Sequence, residues 1–546
     1  MPKTPDFSEL SKIIPGSLDT SSASLDRASH DASIFEVRPQ AVAYPKNVNE
    51  VCALVRYADE HPGVSVTARS AGTDMTGGPL TQSIVVEFTE HFNRVVKVAD
   101  GYAITEPGVY YRDFDKATLA VDGQILPSYP ASRELCTVGG MVANNSGGEK
   151  TLTYGKTERY IRRLKMVCAD GKEHEFRPLT MSELEQQKKF PTLESDIYRK
   201  MQELIVANYD VIQAARPMVS KNSCGYYLWN VYDKEKGTFD LTKIIAGSQG
   251  TFGLITEIEF ALVKPKKYSR LLVVFLKDMD LLAGTAGHIM KFKPESFESY
   301  DDHTFRIAIK FLPALMKRMG GGIFTLGFRF IPEVFAILRG GVPKMVLMAE
   351  FTADTPEEAV RKAQEAQASL KEFHEQSKVT RTAADANKYW VIRRESFNML
   401  RQHVRGVRTA PFIDDFAVKP ESLPTFLPRL YAILDQYNLT YTIAGHVGDG
   451  NFHIIPLMDL HVQKSHEVIR ELSVKVYELI HEFKGTITAE HNDGMIRTPF
   501  VKMQYGEEVY KLFEEVKKIW DPKGIFNPGK KVGGTWEYAM EHVVRS

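Results

Sequence analysis

The sequence predicts an α+β protein in which an N-terminal α/β domain is followed by a cap domain of antiparallel strands and long helices. The first observation is a strand, helix and strand order after Pro39, with strands at 41–44 and 64–68 and a helix at 47–60 that opens Asn-x-x-Glu. The second is a change of pattern near Lys266, after which strands alternate with long helices in a ferredoxin-like manner. The predicted cap elements are strands 270–276, 296–300 and 344–351, helices 281–291 and 356–378, and a helix that begins near Ala384.

Bulk composition narrows the classes of function. The 546 residues suffice for three or four domain-sized units, and Lys+Arg and Asp+Glu both number 69, so the net charge is zero. Nucleic acid is therefore not indicated as a partner, nor is electrostatic recruitment to a membrane. The cysteines lie far apart without a CxxC motif, which argues against disulfides or an iron–sulfur centre and favours a reducing, cytoplasmic compartment. They are Cys52, Cys136, Cys168 and Cys224.

Two segments bear on targeting. Residues 1–31 are polar and rich in Ser, Asp and Pro, which predicts a poorly structured arm rather than a signal sequence. Residues 319–338 come nearest to a membrane segment, but they contain Arg329 and Glu333. A charge at the centre of a spanning helix costs about 2.5–3.5 kcal/mol, so no spanning helix is predicted. The basic flanks of this stretch leave two alternatives, a buried cap helix or peripheral contact with the inner face of a membrane.

The strongest candidate for chemistry is the run from Ala444 to His453, which contains His-Val-Gly-Asp-Gly-Asn-Phe-His. Asp449-Gly450 predicts a two-residue type I′ hairpin turn, because both central residues of that turn need a positive φ. This register pairs His446 with His453 on one face, with Cβ atoms within about 5.5 Å. Two histidines and one carboxylate are typical of a catalytic metal site, for which Zn²⁺ is the first candidate.

The third metal ligand is predicted between Gly485 and Gly494. Residues 486–489 form a short β-type run that leads to Glu490 and His491. Because adjacent side chains of a strand point to opposite faces, we assign Glu490 to the metal and His491 to proton transfer. The alternative is that these are ordinary surface or hydrogen-bonded histidines, which is common for a single histidine and uncommon for the whole set.

Three loops rich in small residues indicate places where backbone approaches a ligand closely. The first loop runs from Arg69 to Gly78, the second from Thr137 to Gly148 and the third from Gly247 to Glu257. None matches GxGxxG or GxxxxGK[ST], so the Rossmann and P-loop interpretations are unsupported. Successive N–H groups beside Arg69 suit an anion, although a glycine-rich loop after a strand is often a simple turn.

In this order, the three loops resemble the FAD-binding domain of the vanillyl-alcohol-oxidase type, also called the PCMH type. The two histidine-containing segments and the C-terminal run that ends Asn527-Pro-Gly-Lys530 resemble the FAD-linked D-2-hydroxy acid dehydrogenases, which include D-lactate, glycolate and D-2-hydroxyglutarate dehydrogenases. The resemblance covers about residues 35–535. It implies an arm at 1–34, an FAD-binding domain at 35–265, an inserted substrate cap with the metal site at 266–495, and a return to the FAD domain at 496–546.

The resemblance also assigns cofactor contacts. The first loop would surround the pyrophosphate of FAD, the second would line the flavin, and Ile255 would lie on the adenine side. Some relatives carry a flavin-linked histidine where this chain has Thr73, so we expect FAD to be bound non-covalently. The implied FAD contacts are Arg69, Ser70, Ala71, Gly72, Thr73, Asp74, Gly77, Gly78, Ser132, Gly139, Gly140, Asn144, Gly147, Tyr154, Ile255, Asn451 and Asn527.

For the substrate, the resemblance implies that Arg393 binds the carboxylate, to which a planar guanidinium is well suited, although a helix arginine is usually a solvated charge. The 2-hydroxyglutarate branch carries a Thr and a Lys where this chain has Phe397 and Ile413, which favours a smaller or more apolar substrate. Asn492 and Asp493 replace small residues of the usual turn, and this leaves the reaction class unchanged.

The expected reaction is oxidation of a D-2-hydroxy acid to the 2-oxo acid. The metal and Arg393 would bind the substrate, and His491 would take the hydroxyl proton as the α-hydrogen leaves as hydride to flavin N5. A quinone, a cytochrome or an electron-transfer flavoprotein would reoxidise the flavin. The rival interpretations are a metal-dependent hydrolase built on the same three ligands and a non-catalytic flavin- or nucleotide-binding module.

Overall fold

The N-terminal part of the chain contains two main sheets. The computed structural model describes residues 7–310, 341–403 and 406–545. In the first sheet, Ala41–Ala43 and Val66–Arg69 lie parallel to Ile84–Glu87, one on each side of it. The second sheet is antiparallel, in the order Val95–Ala99, Tyr102–Thr105, Leu254–Ala261, Ile161–Val167 and Glu173–Phe176. Three short strands, Tyr232–Asp233, Thr238–Phe239 and Leu179–Thr180, form a third sheet in that order.

The predicted first helix is present as Val48–Glu60. The Asn47 side chain accepts a hydrogen bond from the N–H of Glu50, which caps the helix as the Asn-x-x-Glu pattern indicates. Val51, Leu54 and Val55 recur at helical spacing and are fully buried, in one apolar cluster with strand residues of the first sheet. The periodicity of the sequence therefore fixes which face of this helix packs.

The N-terminal arm is ordered from Phe7, so the prediction of a poorly structured arm is wrong for the described residues. Helix Ser8–Ile13 buries Leu10 completely, and Ile14 after it is also fully buried. Strand Leu18–Asp19 pairs antiparallel with Ala41–Ala43. A few apolar side chains at helical spacing suffice to dock this segment on the first sheet, although its composition is polar.

The cap is built on one eight-stranded antiparallel sheet, as the ferredoxin-like pattern predicts. Helix Pro356–Ala368 packs on it but ends ten residues earlier than predicted, because the chain turns at His374, where φ is 53°. The residues from Gln376 to Val379 then form an edge strand. The strand order is Gln376–Val379, Tyr268–Leu276, Met345–Ala353, Ser296–Asp301, Thr440–His446, Asn451–Met458 and Arg408–Thr409, with Phe416–Ala417 also paired to Asn451–Met458.

The predicted histidine hairpin is present, but its predicted register is wrong. Residues 447–449 form a turn of 3₁₀-helix, and Gly450, with φ 64°, is left-handed while Asp449 is not. His453 therefore pairs with Ala444, and His446 pairs with Asn451. The shift is two residues, and since side chains alternate faces with period two, both histidines stay on one face.

The short strand predicted at 486–489 is also wrong. Only one isolated bridge, between Thr486 and Ala417, ties this segment to the cap sheet. The side chain of Asp415 accepts hydrogen bonds from the N–H groups of Ala489, Glu490 and His491, in place of the ladder bonds of a strand. The backbone polar groups are thus satisfied by one buried carboxylate.

The C-terminal segment returns to the N-terminal part, as predicted. Helix Val501–Trp520 is interrupted at Gly506, where φ is 79°, and its second half begins at Glu507. Beyond it, Phe526 bridges to Val66, and the amide of Asn527 donates to the carbonyl oxygens of Gly78 and Gln249. This places the last fifty residues against the first and third loops.

Further helices support these sheets. Within the described ranges no helix is long and apolar enough to cross a bilayer, and the stretch 319–338 lies outside those ranges. The other helices of the described ranges are Ser22–Ala28, Tyr111–Leu119, Val138–Asn144, Thr151–Tyr154, Met181–Gln187, Leu193–Ala207, Tyr209–Ala214, Thr242–Ile245, Leu282–Lys291, Asp302–Lys310, Ala383–His403, Leu423–Leu434, Gln463–Glu482, Gly494–Arg497 and Trp536–Glu541.

Candidate active site

One cavity of about 580 Å³ lies between the N-terminal part and the cap. All three small-residue loops reach it from one side, and the histidine hairpin and the segment of Glu490 reach it from the other. The predicted site residues that line it are Ser70, Ala71, Gly72, Thr73, Asp74, Gly78, Ser132, Gly139, Gly140, Asn144, Gly147, Ile255, Arg393, His446, His453, Glu490 and His491.

The first loop offers backbone donors to the cavity. The described part of the chain supplies no hydrogen-bond acceptor for the N–H groups of residues 70–73. The loop is held from behind by Asp74, whose carboxylate accepts hydrogen bonds from the N–H groups of Thr76 and Gly78. Such a run of unpaired amides suits an anionic group like a pyrophosphate.

Arg69 does not face the cavity. Its guanidinium donates to the carbonyl oxygens of Ala28 and His30, and Nε lies 3.8 Å from a carboxylate oxygen of Glu87. An ideal Cβ on Gly72 would collide with this guanidinium, so the loop passes directly over it. Arg69 braces the first loop, and its interpretation as a charge that faces the cofactor is not supported.

The second and third loops bring bare backbone to the same cavity. Gly139 lies against Pro107, where a Cβ would approach the Pro107 carbonyl oxygen to 2.6 Å. A Cβ on Gly140, by contrast, would meet Thr137 Oγ1 at 3.4 Å and Ser70 Cβ at 3.9 Å, which are ordinary contacts. Both glycines line the cavity, so their backbone can lie close to a flat ligand. Together with the free amides of the first loop, this geometry fits FAD.

Several predicted cofactor residues lie outside the cavity wall. Asn527 ties the first loop to the third through Gly78 and Gln249, and the Tyr154 hydroxyl donates to Glu295. Gly77, with φ 80°, packs against Phe35 and Met495, and Asn451 donates to Asp415 and the carbonyl of Phe416. These residues hold the loops that line the cavity.

The two hairpin histidines are each fixed by a buried carboxylate. Nδ1 of His446 lies 2.6 Å from Glu298 Oε1, and Nδ1 of His453 lies 3.1 Å from Asp414 Oδ1. The ring centroids are 5.5 Å apart, and Nε2 of His446 lies 3.6 Å from Glu490 Oε1. Histidine ligands usually hydrogen-bond a carboxylate through the nitrogen that does not bind the metal. The donor set His446, His453 and Glu490 therefore fits a divalent cation.

Glu490 is a buried anion with a cationic partner. Its Oε1 lies 2.5 Å from Nζ of Lys221, which is fully buried and also lies 3.3 Å from Asp449. Burial alone would raise the pKa of Glu490, but the charges of Lys221 and His446 outweigh it and hold this pKa well below its usual range. Glu490 is thus available as an ionised ligand.

His491 lies beside a second pair of carboxylates. Its Nδ1 is 2.8 Å from Asp414 Oδ2, as an ion pair rather than an aligned hydrogen bond, and its side chain is 24% exposed towards the cavity. Burial opposes a charge on the ring, but Asp415 and Asp414 outweigh it and raise the pKa of His491 to about 9. A divalent cation on the neighbouring ligands would act in the opposite direction. The donor atoms at this site that lie within 4.8 Å of one another belong to Asp415, His453, Glu490 and His491, a group of described residues that includes the predicted base and does not include His446.

Glu490 and His491 do not point to opposite faces of a strand, although the sequence predicted this. Both line the same cavity, because the backbone here is bent rather than a strand. Their different roles therefore rest on their partners, Lys221 for Glu490 and Asp414 for His491, and not on opposite faces.

Arg393 lies on the cavity wall, and its Nε forms an ion pair with Glu298. Nε is 2.6 Å from Glu298 Oε2, and the side chain is 11% exposed. Burial disfavours the anion of Glu298, but Arg393 and His446 outweigh it and lower the pKa of Glu298 to about 2. Glu298 thus joins the predicted carboxylate-binding residue to a predicted metal ligand. Arg394, next in sequence, instead forms a two-oxygen ion pair with Glu149.

Sequence reasoning missed the buried partners. Glu298, Asp414 and Lys221 lie 148, 39 and 269 positions from the residues that they hold. Asp415 could have drawn attention as part of an Asp-Asp pair inside an apolar run, but nothing in the sequence links it to Glu490. Ile413, predicted to stand at a substrate contact, is fully buried in the core. The side chain of Phe397 lies outside the described side chains.

Comparison with known proteins agrees with this fold. Residues 39–177 match the family described as FAD binding domain, and residues 265–531 match the family described as FAD linked oxidases, C-terminal domain. The 4-ethylphenol oxidase from Gulosibacter chungangensis superposes with a TM-score of 0.70 at 16% identity, over 97% of each chain, which supports the PCMH-type α+β fold. The chain therefore combines a region similar to an FAD binding domain with a region similar to the C-terminal domain of FAD linked oxidases.

The chain is also similar in sequence to curated dehydrogenases and to an oxidase subunit. It is 27% identical to the D-2-hydroxyglutarate dehydrogenase of Pseudomonas putida over 92% of this chain, but it spans only 49% of that relative's length. It is 26% identical to the glycolate oxidase subunit GlcD of Bacillus subtilis, over 94% of each chain. It is also 26% identical to the D-lactate dehydrogenase of Archaeoglobus fulgidus, over 90% of this chain and 91% of that one.

Proposed function

We propose that the protein oxidises a D-2-hydroxy acid to the 2-oxo acid with FAD and passes the electrons to a separate acceptor. The main observation behind this proposal is that the three small-residue loops, which fit FAD, share one cavity with Arg393 and His491. The same cavity is lined by the donor set His446, His453 and Glu490. The arginine can bind the carboxylate of a 2-hydroxy acid, and the base can take its hydroxyl proton. A metal on the three ligands can bind its hydroxyl oxygen. Relatives named D-2-hydroxyglutarate dehydrogenase, glycolate oxidase and D-lactate dehydrogenase support the same class.

Each residue has one role in this proposal. Arg393 binds and orients the substrate carboxylate, and Glu298 fixes the direction of its guanidinium. His491 takes the hydroxyl proton on Nε2, since its Nδ1 faces Asp414. FAD supplies the two-electron acceptor for the α-hydrogen. A divalent metal, for which Zn²⁺ is the candidate, supplies Lewis-acid polarisation of the substrate oxygen atoms when held by His446, His453 and Glu490.

The charge of the cavity wall favours a small monocarboxylate. Among the described side chains that line the cavity, the arginines are Arg133, Arg393 and Arg394, and Arg133 is paired with Glu134 and lies over the ring of Tyr129. Arg394 is already paired with Glu149, and Thr442, Ala444 and Ile455 add small or apolar surface. A second substrate carboxylate would have to displace Glu149 from Arg394. D-lactate therefore fits the wall better than a dicarboxylate does.

The proposed electron acceptor is a quinone, a cytochrome or an electron-transfer flavoprotein. Within the described residues the cysteines Cys52, Cys136, Cys168 and Cys224 are all buried and unpaired, so electrons leave the flavin without a local disulfide relay. We place the protein in the cytoplasm, with peripheral contact at the inner face of a membrane as an alternative that suits a quinone acceptor.

Anaerobic flavin reduction tests the function. Purified holoenzyme should lose its flavin absorbance when mixed with D-lactate, and it should keep it with L-lactate. D-2-hydroxyglutarate and glycolate, used in parallel, rank the substrates by rate. A protein that binds FAD but is bleached by none of these acids would contradict the proposal, and a protein without FAD would support the hydrolase alternative.

A second test addresses the metal. His446→Ala and His453→Ala should each lower metal content and abolish flavin reduction, while FAD stays bound, because the ligands and the FAD cradle are different residues. His461→Ala is the matched control, since its ring contacts only the carbonyl oxygen of Arg545, far from the cavity wall. Full activity in a metal-free His446→Ala protein would contradict the metal assignment.

A further inference from the structure

Asp414 contacts two histidines of the site at once. Oδ1 lies 3.1 Å from Nδ1 of His453, and Oδ2 lies 2.8 Å from Nδ1 of His491. The two rings are stacked, with centroids 5.1 Å apart and an angle of 24° between their planes. Both histidines line the cavity, whereas Asp414 is fully buried and is not part of its wall. Asp414 therefore reaches both rings from behind.

This contact decides which nitrogen of each ring faces the ligands. A neutral imidazole carries one N–H and one lone pair, and the hydrogen bond made by one nitrogen fixes the state of the other. Nδ1 of His453 is hydrogen-bonded to Asp414, and Nδ1 of His491 lies 2.8 Å from the same carboxylate as an ion pair. A carboxylate beside Nδ1 favours the proton on that nitrogen, so the lone pair of each neutral ring lies on Nε2. His453 needs that lone pair as a metal ligand, and His491 needs it as the proton acceptor.

The position of Asp414 is itself fixed by its neighbours. Arg497, which is fully buried, donates from Nη2 to the carbonyl oxygen of Asp414. The next residue, Asp415, has a φ of 66° and accepts hydrogen bonds from the N–H groups of Glu490 and His491, at 2.8 and 2.6 Å. Asp415 thus holds the backbone of the segment that carries Glu490. Asp414 holds the side chain of His491 from that segment and the side chain of His453 from the hairpin.

We propose that Asp414 is a positioning residue that sets the Nε2 lone pairs of His453 and His491 together, so that metal binding and proton transfer depend on one carboxylate. The proposal rests on the function proposed above. Glu298 serves His446 and Arg393, and Asp415 accepts hydrogen bonds from the backbone N–H groups of Glu490 and His491. Asp414 differs from both, because its two oxygens face the Nδ1 atoms of the His453 and His491 rings.

Substitution of Asp414 tests this with two separate readings. Asp414→Ala removes both acceptors, so the affinity for Zn²⁺, measured by competition with a chromophoric chelator, should fall about 10–100-fold. At saturating Zn²⁺, stopped-flow flavin reduction by D-lactate should still be about 10²–10⁴-fold slower than in the wild type. The substrate dissociation constant from the same experiment should stay near the wild-type value, because Arg393 is untouched.

Asp414→Asn provides the second variant if the alanine protein does not fold. An amide has one oxygen, so it satisfies one ring and donates its NH₂ to the other, which then carries its proton on Nε2. At least one reading, Zn²⁺ affinity or the reduction rate at saturating Zn²⁺, must therefore fall. Asp170→Asn is the matched control, because Asp170 holds His174 at 3.0 Å in an Asp–His pair outside the cavity, and both readings should stay unchanged.

The outcomes separate the two proposals. If the wild type is not reduced by any D-2-hydroxy acid, the proposed function fails before Asp414 is considered. If the wild type is reduced and Asp414→Ala or Asp414→Asn keeps both Zn²⁺ affinity and rate, the role of Asp414 is wrong. If Asp414→Ala loses Zn²⁺ affinity but recovers the full rate at saturating Zn²⁺, Asp414 serves His453 alone and the coupling is wrong.

Discussion

Glu490 and His491 are neighbours in the sequence but are held by different partners. Lys221 pairs with Glu490, and Asp414 and Asp415 surround His491. At the residue scale this predicts different consequences for their loss. Removal of Glu490 takes away a proposed metal ligand and leaves the buried Lys221 with Asp449 as its remaining ion-pair partner among the described residues. Removal of His491 takes away the proposed base that faces the substrate hydroxyl.

His491→Asn should slow flavin reduction roughly 10²–10⁴-fold and leave metal content and substrate affinity near the wild-type values, since a base contributes mainly to the chemical step. Glu490→Gln should lose metal. Because the base must be neutral, the wild-type rate should rise with pH through the pKa of His491, which Asp415 and Asp414 raise and a bound cation would lower. The Asn variant should lack this rise. Stopped-flow reduction over pH, with metal analysis, decides it, and metal loss in His491→Asn would show that the two roles are reversed.

The residues that were predicted from sequence are those whose chemistry shows in a short motif. His446, His453, Glu490 and His491 all line the cavity, and their roles stay predictions. The buried residues that fix their orientation were not predictable, because a hydrogen bond such as that from His446 to Glu298 joins positions 148 residues apart. Arg69 shows the converse, since its charge suggested a cofactor contact and its side chain folds back to the carbonyl groups of the N-terminal segment.

At the scale of elements, the histidine hairpin depends on its turn. Gly450 has a φ of 64°, and a Cβ there would collide with the carbonyl oxygen of Val418. The backbone of a neighbouring strand segment cannot move aside cheaply. The turn was predicted from Asp449-Gly450, but the type was wrong because only Gly450 takes a left-handed conformation.

Gly450→Ala should therefore destabilise the protein by more than the roughly 1–2 kcal/mol that a left-handed non-glycine residue costs. Gly63→Ala is the matched control, because Gly63 has a φ of 89° and nothing within 4 Å of its Cβ position. Urea unfolding of the two variants measures the difference, and the Gly450 variant should also bind less metal. Equal destabilisation of both variants would show that the contact with Val418 is not important.

A second prediction concerns the hairpin of Ile161–Val167 and Glu173–Phe176. Burial lowers the pKa of His174, but the bond to Asp170 and the nearby Glu194 outweigh it and raise this pKa to about 9. The folded-state value thus exceeds the unfolded value of about 6.5, so the stabilisation is complete below pH ~6.5 and is lost as the pH rises through ~9.

His174→Gln should accordingly cost more stability at pH 6 than at pH 9.5, by on the order of 1–3 kcal/mol. The urea midpoints of the wild type and the variant at both pH values measure this. A cost that is the same at both values would mean that His174 is neutral in the folded protein and contributes through packing alone.

At the scale of the whole molecule, the cavity is formed where distant parts of the chain meet. The turn after Glu490 is held by three fully or largely buried lysines from other segments: Lys156 donates to the carbonyl of Ala489, Lys221 to Glu490 and Lys531 to Asn492. Burial lowers the pKa of Lys156 to about 8. Asn492 has a φ of 72°, a left-handed conformation that asparagine adopts more readily than most other residues with a Cβ atom.

The cavity also predicts how FAD is held. Thr73 lines the first loop and offers no side chain for a covalent flavin bond, and burial raises the pKa of the cavity-lining Cys136 to about 12, so its thiol is not a nucleophile. Acid precipitation of the holoprotein should therefore release all FAD into the supernatant, as measured by absorbance. Flavin that remains with the precipitated protein would contradict non-covalent binding.

The sequence by itself determined the elements with strong periodicity and the motifs with local chemistry. The capped helix at 48–60, the cap strands, the C-terminal helix from Glu507 and the three small-residue loops all follow from side-chain spacing and backbone freedom within a few residues. The sequence also determined that His446 and His453 lie on the same face of the hairpin. A two-residue error of register leaves every side chain on its original face.

Only the tertiary structure decided which of these loops meet and what orients their side chains. The free amides of the first loop, the backbone of Gly140 and the imidazoles of His453 and His491 share one cavity because two separate sheets and the C-terminal segment close around it. The carboxylates of Glu298, Asp414 and Asp415 act through contacts made at low solvent exposure, where a charge is stable only beside its partners. Such contacts depend on distance in the folded chain, which no local pattern of residues encodes.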